Sequence, residues 1–562
     1  MRGFVLSGLE IESYGEFDIG EAFYPQRQKG DARTPRPGTR AMSSSSRWIS
    51  AGILALALIL RVWALDIKPA HFDEGVNGYF VDQMTRQGFY HYDPTNFHGP
   101  LHFYALFVSQ TLFGRNLWAL RAPLALASTL CVAAALAFRR FMDERVCQIA
   151  ALFMAVSPGM VFYGRYAIHE SWLLLFLMLT AWGTLGLWRD GGPRDLWAAA
   201  LGVTGMILTK ETWVMHVAAF VLAVPCLYYF EKLSPSLPWP QGDANFIGRD
   251  MAIAASVCVA LIVFFFSGGF LDWSSLPGIW EAFAVWTKTG VEGKTGHEKD
   301  WYYWLQLMGR YELPSLIGLG AGFALLAPRM NRAARYLATY GLGALIGYSI
   351  VRYKTPWCVI SLIWPFYFLL ALAVVYAARK VDIATTAALA GLLGVFSLGS
   401  SLHLNFRDFT DENEPYVYVQ TLPEINDLLK PLRNLTSLDP ENYFLTGHFI
   451  GTEQYPFCWI LADYPLVDFL PADALPEEPD ASFLVVDQTL VDKIEPKLRN
   501  RYAKIPLRLR GFSPDSQVLY LDSELFGAYI PLNAGRFTPG EILPEAPKAR
   551  VPEKADDGAG SR

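Results

Sequence analysis

Charge is what this sequence has least of. Only 18% of its 562 residues are Asp, Glu, Lys or Arg, against 52% hydrophobic and 14% aromatic residues, values outside the usual range for a water-soluble chain. A net charge of -6 and the lack of any dense basic stretch exclude a nucleic-acid binder. Cysteine is scarce as well: Cys131, Cys147, Cys226, Cys258 and Cys358 lie in or beside apolar segments, and Cys458 stands apart. That scatter gives neither a disulfide framework nor a thiolate metal spacing, so all six read as small packing residues. The first apolar segment lacks a small-residue cleavage site, so it reads as a retained helix with its N-terminus inside. Beyond residue 404 long apolar runs are lacking altogether.

What is there in quantity is hydrophobic length. Between residues 49 and 402 runs of about 17 to 22 apolar residues recur, each enough to cross a hydrocarbon core about 30 Å thick. The expected fold is therefore mainly α, a polytopic membrane helix bundle over residues 48–404 with a C-terminal soluble α/β or α+β domain over 405–532. Residues 1–47, rich in Gly, Pro, Ser and Arg, read as a disordered cytoplasmic arm in which Met42 is an alternative start, and 533–562 as a flexible tail. In the soluble part 424–435 reads as a helix, and 482–487 and 517–521 as strands.

Basic residues gather at Arg139-Arg140 with Arg145, at Arg189 with Arg194, at Lys232 with Arg249, at Arg329 with Arg332 and Arg335, and at Arg379-Lys380. The positive-inside rule puts all five groups on the cytoplasmic side. Spans are then expected at 49–65, 117–138, 146–163, 170–188, 195–209, 213–230, 251–268, 311–328, 335–351, 357–378 and 383–401, about eleven helices with the C-terminal domain outside. This parity requires that residues 101–113, apolar but short, do not cross. They read as an interfacial helix together with the amphipathic stretch 76–88, inside a large first outer loop, 66–116.

With that parity, polar groups collect at one level. Asp73, Glu74, Asp93 and His98 lie in the first outer loop; Arg165, His169 and Glu170 follow, then Lys210 and Glu211, then His297, Glu298 and Lys299, and finally Arg352 and Lys354. The first of these sits in His71-Phe72-Asp73-Glu74-Gly75, a carboxylate pair just where the first apolar helix ends.

The pattern HFDEGVNGYF, followed by a His-Gly-Pro-Leu entry to a short helix and then Phe-Gly-Arg, resembles the GT-C glycosyltransferases of the protein O-mannosyltransferase and aminoarabinose transferase superfamily. Tyr-Lys-Thr-Pro-Trp at 353–357, His-Glu-Lys at 297–299 and Pro-Tyr-Val-Tyr-Val-Gln at 415–420 are similar to the prokaryotic flippase activity-associated, Agl23-like family. The resemblance implies an integral-membrane, family 39-like, inverting enzyme of the prokaryotic plasma membrane, moving a hexosyl or pentosyl group. The donor would be a polyprenyl-phosphate sugar, and the acceptor hydroxyl of a protein, lipid or glycan would lie at the extracytoplasmic face. At the family position for the base stands Asp73, which would take the proton of the attacking hydroxyl. Charge developing on the leaving phosphate calls for cations, and Arg165, Lys210, Arg352 and Lys354 are the candidates. His98, His169, Glu170, His297 and Glu298 are candidates for substrate binding.

Each has a plainer reading beside it. Glu74 could be a second acid, a metal ligand or a structural acceptor. Arg165 and Lys210 end apolar helices, where snorkelling is the default, and Arg61 inside the first span either snorkels or pairs with a carboxylate. Lys354 with Pro356 and Trp357 also suits an ordinary cap and aromatic anchor. A divalent metal is possible, but His297 with Glu298 is sparse for one. The rival functions are a lipid-linked glycan flippase or its accessory, which calls for ionisable groups deep in the helices and internal repeats, and a catalytically dead scaffold.

Overall fold

The computed structural model describes residues 43–96, 98–238, 246, 248–292, 296–511, 516–531 and 534–539; the expected N-terminal arm up to residue 42 and nearly all of the tail from 533 lie outside them. The chain divides into two compact units, Met1–Gln420 and Thr421–Arg562. Residues 405–420, expected in the soluble domain, thus pack with the first unit.

The first unit is helical throughout. In chain order its helices are α1 (Ser44–Val62), α2 (Phe72–Gln87), α3 (Leu101–Phe113), α4 (Leu117–Ala137), α5 (Glu144–Val156), α6 (Pro158–Gly164), α7 (Glu170–Arg189) and α8 (Pro193–Ile207). Then follow α9 (Trp213–Leu233), α10 (Gly248–Phe266), α11 (Gly278–Glu292), α12 (Tyr303–Arg310), α13 (Leu313–Ala321), α14 (Arg332–Ile350), α15 (Val359–Lys380) and α16 (Ile383–Phe406). Their starts carry the polar caps that leave the first N–H groups satisfied: Ser43, Asn116, Asn331 and Asp382 each accept from a backbone N–H of the first turn. Gly88 ends α2 with φ +80°, a left-handed turn that favours glycine.

Among the described residues seven helices are long and apolar enough to cross a membrane, or eight when α5 and α6, bent by 59° at Ser157, count as one span. This is an integral-membrane bundle, though length and composition do not reach the expected eleven spans. The expected crossings at 195–209, 311–328 and 335–351 fall on α8, α13 and α14. α8 has 15 residues and α13 only 9, while Arg332, Arg335 and three tyrosines reduce the hydropathy of α14. α3 is one of the shorter apolar helices, in keeping with a segment that does not cross.

Contacts join all five basic loops at one end of the bundle. Arg140 pairs with Asp190 and Asp195, Arg379 with Asp143 at 3.3 Å, and Arg332 with Glu231 at 2.8 Å, while Asn331 donates to the Phe141 carbonyl. The polar loops of the other set meet one another too. Gly99 N–H donates to the Thr209 carbonyl, Ala167 N–H to Glu74, and Lys354 N–H to the His297 carbonyl.

Arg61 departs from both readings offered for it. It neither snorkels nor meets a carboxylate; its guanidinium is fully buried and donates to the carbonyls of Ala57, Ala155 and Met154 and to Ser128 Oγ at 2.7–3.1 Å. The break between α5 and α6 leaves the carbonyls of Met154 and Ala155 without helical partners, and hydrocarbon offers no water in their place.

The second unit is a six-stranded sheet with helix α17 (Asn426–Leu438). Strands β1 (Gly447–Ile450), β2 (Val467–Leu470), β3 (Phe483–Asp487), β4 (Tyr502–Arg508), β5 (Ser516–Asp522) and β6 (Gly535–Phe537) are ordered β2-β1-β3-β5-β4-β6. β1 runs parallel to β2 and β3, and the remaining pairs are antiparallel. Alternate residues feed two cores, one on each face: Phe483, Val485 and Leu519 on one, Leu484, Val486 and Tyr520 on the other. The expected α/β character and the helix and strands expected at 424–435, 482–487 and 517–521 match α17, β3 and β5 to within a few residues.

Arg61→Met is expected to cost about 1–3 kcal/mol for each carbonyl left unpaired. Thermal unfolding of the purified protein in detergent checks this, and an unchanged midpoint would refute the capping role.

Candidate active site

The local sequence around His71 explains how two adjacent carboxylates come to different fates. His71 is the N-cap of α2: its Nδ1 accepts the Asp73 N–H at 3.0 Å, and Glu74 Oε2 accepts the His71 N–H at 3.0 Å, a reciprocal capping box. The other ring nitrogen of His71 donates to the Tyr418 carbonyl at 2.8 Å, so the two contacts assign the neutral tautomer with its proton on Nε2. Burial holds the His71 pKa below its ordinary value despite the nearby Asp73 carboxylate, in keeping with that neutral form.

Glu74 is wholly buried and fully engaged. Arg121, also wholly buried, donates to it from Nε at 2.7 Å and from NH2 at 2.6 Å, and the Ala167 N–H adds a contact of 2.9 Å. The rest of the Arg121 guanidinium binds the carbonyls of Leu65, Lys68 and Pro69 at 2.9–3.1 Å. Of the three readings for Glu74, this geometry fits the structural acceptor. Burial pushes its pKa up, but the Arg121 charge and hydrogen bonds together with the His71 and Ala167 amides outweigh that, and the net direction is down.

Asp73 lies on the other side of the same turn. Its carboxylate is 34% exposed, 3.9 Å from His71 Nδ1, and has no hydrogen-bond partner among the described residues. It stands within electrostatic reach of His297, Tyr166 and Tyr353.

The other candidates sort into three groups. Glu170 and Lys210 form a buried ion pair, with Cys358 Sγ 3.7 Å from Nζ. Beside it His98 Nδ1 meets Glu211 at 2.9 Å, and the His169 ring lies 4.4 Å from His98 and 4.1 Å from His102. Arg165 is buried and gives its guanidinium to the carbonyls of Leu60, Arg61, Trp63 and Ala64, the C-terminal end of α1 and the turn beyond it. It therefore faces backbone. Third, His297, Glu298, Arg352 and Lys354 come together through a short antiparallel pairing, Glu298 opposite Tyr353. His297 Nδ1 lies 2.6 Å from the Tyr418 hydroxyl, and Lys354 Nζ donates to the carbonyls of Lys299 and Val351. Glu298, Lys299, Arg352 and Lys354 line an open cavity of about 680 Å³ together with Asp300, Trp301 and Tyr303. Arg352 is exposed there.

Among the described residues no group of three or more His, Cys, Asp or Glu side chains is placed to hold a metal ion.

Several residues of the site were not singled out in the sequence. Arg121 is one, and its signal was available: a charge inside an apolar span is a functional or structural group by default. Glu312 is another. Its buried carboxylate accepts from Ser157 Oγ, Gly159 N–H, Tyr367 and Tyr416, and so holds the strand of chain that carries Tyr418. Lys68 is a third: its buried Nζ has no hydrogen-bond partner among the described residues and lies 3.9 Å from the centre of the Phe162 ring.

Replacing Glu74 by Gln or Arg121 by Leu is expected to cost about 3–5 kcal/mol, since either leaves a buried charge alone. Because the folded Glu74 carboxyl is held below its unfolded value, its stabilisation is complete above the unfolded carboxylate range and is lost as pH falls through the folded value. Thermal unfolding of wild type and Glu74→Gln across pH 3–7, a range set by the carboxylate value of about 4.3, checks both statements: the gap between them should close at the acid end.

The sequence model of the family described as dolichyl-phosphate-mannose-protein mannosyltransferase matches residues 97–239. No curated protein sequence matches the chain. Among solved structures, ArnT from Cupriavidus metallidurans bound to undecaprenyl phosphate superposes with a TM-score of 0.58 at 14% identity, covering 85% of this chain and 98% of that one. The apo state of the same protein gives a TM-score of 0.59 at 14% identity, with coverages of 86% and 99%. The Archaeoglobus fulgidus oligosaccharyltransferase tethered to an acceptor peptide gives 0.46 at 14% identity, with coverages of 87% and 75%. Coverage of 85% of this chain and 98% of ArnT at that score shows a shared architecture, and the chain has the fold of that protein.

Proposed function

We propose that this protein is an inverting, family 39-like membrane glycosyltransferase that moves a sugar from a polyprenyl-phosphate donor to an acceptor hydroxyl at the extracytoplasmic face. The observation that carries the reading is Asp73: a partly exposed carboxylate without a hydrogen-bond partner among the described residues, on a turn held rigid by its buried neighbour Glu74. The shared fold with ArnT, whose structure was obtained with undecaprenyl phosphate, and the partial match to the mannosyltransferase family support the donor class.

The chemistry follows from these positions. The acceptor oxygen attacks the anomeric carbon as the bond from that carbon to the donor phosphate breaks on the opposite face, which inverts the centre. Asp73 takes the hydroxyl proton as the oxygen becomes acidic, its carboxylate being free of hydrogen bonds from the other described residues. Of the four cations expected to meet the phosphate, Arg165 and Lys210 are engaged inside the bundle. Arg352, exposed in the 680 Å³ cavity beside Lys299 and Lys354, is the one placed to receive the developing charge. His297, within electrostatic reach of Asp73, and Glu298, on the wall of that cavity, serve as the substrate-binding pair on this side; His98, His169 and Glu170 lie around the Lys210 pair and shape the site behind it.

Asp73→Asn is expected to express and fold as wild type and to lose transfer by at least about 100-fold, the usual size of a general-base contribution. Wild-type turnover with a lipid-linked donor in that variant would sink the mechanism. Arg352→Ala is expected to raise the donor KM with a smaller effect on the acceptor KM, measured by varying each substrate in turn.

A further inference from the structure

The cavity beside Arg352 has a counterpart of opposite character on α2. Its volume is about 370 Å³, and its walls include Tyr79, Phe80, Gln83, Gln87, Tyr92 and Asp93. No Lys or Arg lines it, whereas the cavity at residues 298–354 has Lys299, Arg352 and Lys354. Its one histidine, His91, is taken up by Asp272, so a phosphate or an acidic ligand would meet no cation on these walls that lacks a carboxylate partner.

What the walls do offer is specific. Gln83 is half-buried and Gln87 exposed, and neither amide has a protein partner among the described residues. Each carries two N–H donors and a carbonyl acceptor, a set that matches hydroxyl groups, which both donate and accept. Tyr79, Phe80 and Tyr92 supply ring faces whose negative quadrupole attracts the weakly positive C–H groups of a sugar ring. An alkyl chain would leave the amides unpaired, and hydroxyl-rich rings satisfy both kinds of surface.

The position is as informative as the lining. Asp73, Phe80 and Gln87 recur every seven residues on α2 and so lie on one face of it. At 1.5 Å per residue Phe80 is about 10 Å and Gln87 about 21 Å along the axis from Asp73. A ligand in the cavity therefore continues in line from the base, at a distance that no single sugar bridges.

We propose, resting on the transferase reading of Asp73, that this cavity is an acceptor subsite for an uncharged carbohydrate chain. The terminal hydroxyl lies at Asp73, and sugars further from the reacting end lie against Tyr79, Phe80, Gln83 and Gln87. The acceptor is then a glycan of several units, and donor and acceptor are separated by charge: phosphate at the cationic cavity, neutral sugars at the amide-lined one.

Saturation-transfer NMR on the full-length protein in nanodiscs tests this directly, with methyl α-mannoside, mannotriose and maltohexaose as probes and a neutral peptide of similar length as comparison. The two oligosaccharides are expected to bind and the monosaccharide to bind at least tenfold more weakly. Gln83→Ala with Gln87→Ala should lower oligosaccharide affinity at least tenfold. Gln87→Leu alone, at an exposed position, keeps the test available if the double variant does not fold. Absence of oligosaccharide binding to wild type, equal binding by the Gln variants, or preference for the peptide would each overturn the proposal. Binding is read without turnover, so a failure of Asp73 as base leaves this result standing, and the reverse holds as well.

Discussion

The buried ion pair between Glu74 and Arg121 is the constraint on which the site depends. Two charges removed from water are tolerable only with complete hydrogen bonding, and here every donor and acceptor is used: the carboxylate takes the guanidinium and two backbone amides, and the guanidinium takes three further carbonyls. The pair thereby locks together the start of α2, the turn 65–69, the loop at Ala167 and the first turn of α4. Successive helical residues point about 100° apart, so anchoring Glu74 inward directs Asp73 outward. One carboxylate is spent on position so that its neighbour stands in a fixed place without a partner.

A related economy governs the arginines. Helices that stop or bend inside a bilayer leave carbonyls that water does not reach, and such irregular backbone is tolerated only where protein satisfies it. Arg61 fills the break between α5 and α6, Arg165 the end of α1, and Arg335 the carbonyls of Ser234, Leu325 and Ala327 where α9 and the turn after α13 end. The cations that look in sequence like substrate ligands or snorkelling side chains are in these cases what makes interrupted helices possible. Those interruptions in turn bring loop residues such as Ala167 to the level of Asp73.

This explains which parts of the structure were legible in the sequence. Hydrophobic length and loop charge depend on local composition, and from them come the membrane bundle, the short helix α3 and the sharing of one end by five basic loops, joined here through Asn331, Arg332, Arg140 and Arg379. The β-branched runs of the second unit were read for the same reason. The expected partners of individual charges fared less well, because pairing is set by tertiary neighbours up to hundreds of residues away. The N3 position after His71 marks Glu74 as a capping-box acceptor, but nothing adjacent in sequence links it to Arg121, or His71 to Tyr418, and a single charge such as Arg121 hardly alters the hydropathy of an otherwise apolar span. Helix breaks at Ser157 and after α13 likewise escaped a count based on run length.

The commitment of so many cations has a chemical consequence. A carboxylate that is to take a proton from a hydroxyl needs an oxygen open to it, and an ammonium or guanidinium bridged to that oxygen would occupy the place. Lys210 stands within reach of the same Tyr353 that senses Asp73, but Glu170 holds it. Lys354 is turned onto two carbonyls, Arg165 onto the end of α1, and Arg121 onto Glu74. His71, which is closest to Asp73, is held in a neutral tautomer by the Tyr418 carbonyl on one nitrogen and an amide on the other. Each is a separate arrangement on a different loop, and among the described residues together they leave Asp73 without a counter-ion at hydrogen-bond distance. On the proposed reading, a carboxylate oxygen open to an acceptor hydroxyl, with Arg352 exposed in the cavity at residues 298–354 for the leaving phosphate, is the pairing that displacement of a phosphate by a hydroxyl requires.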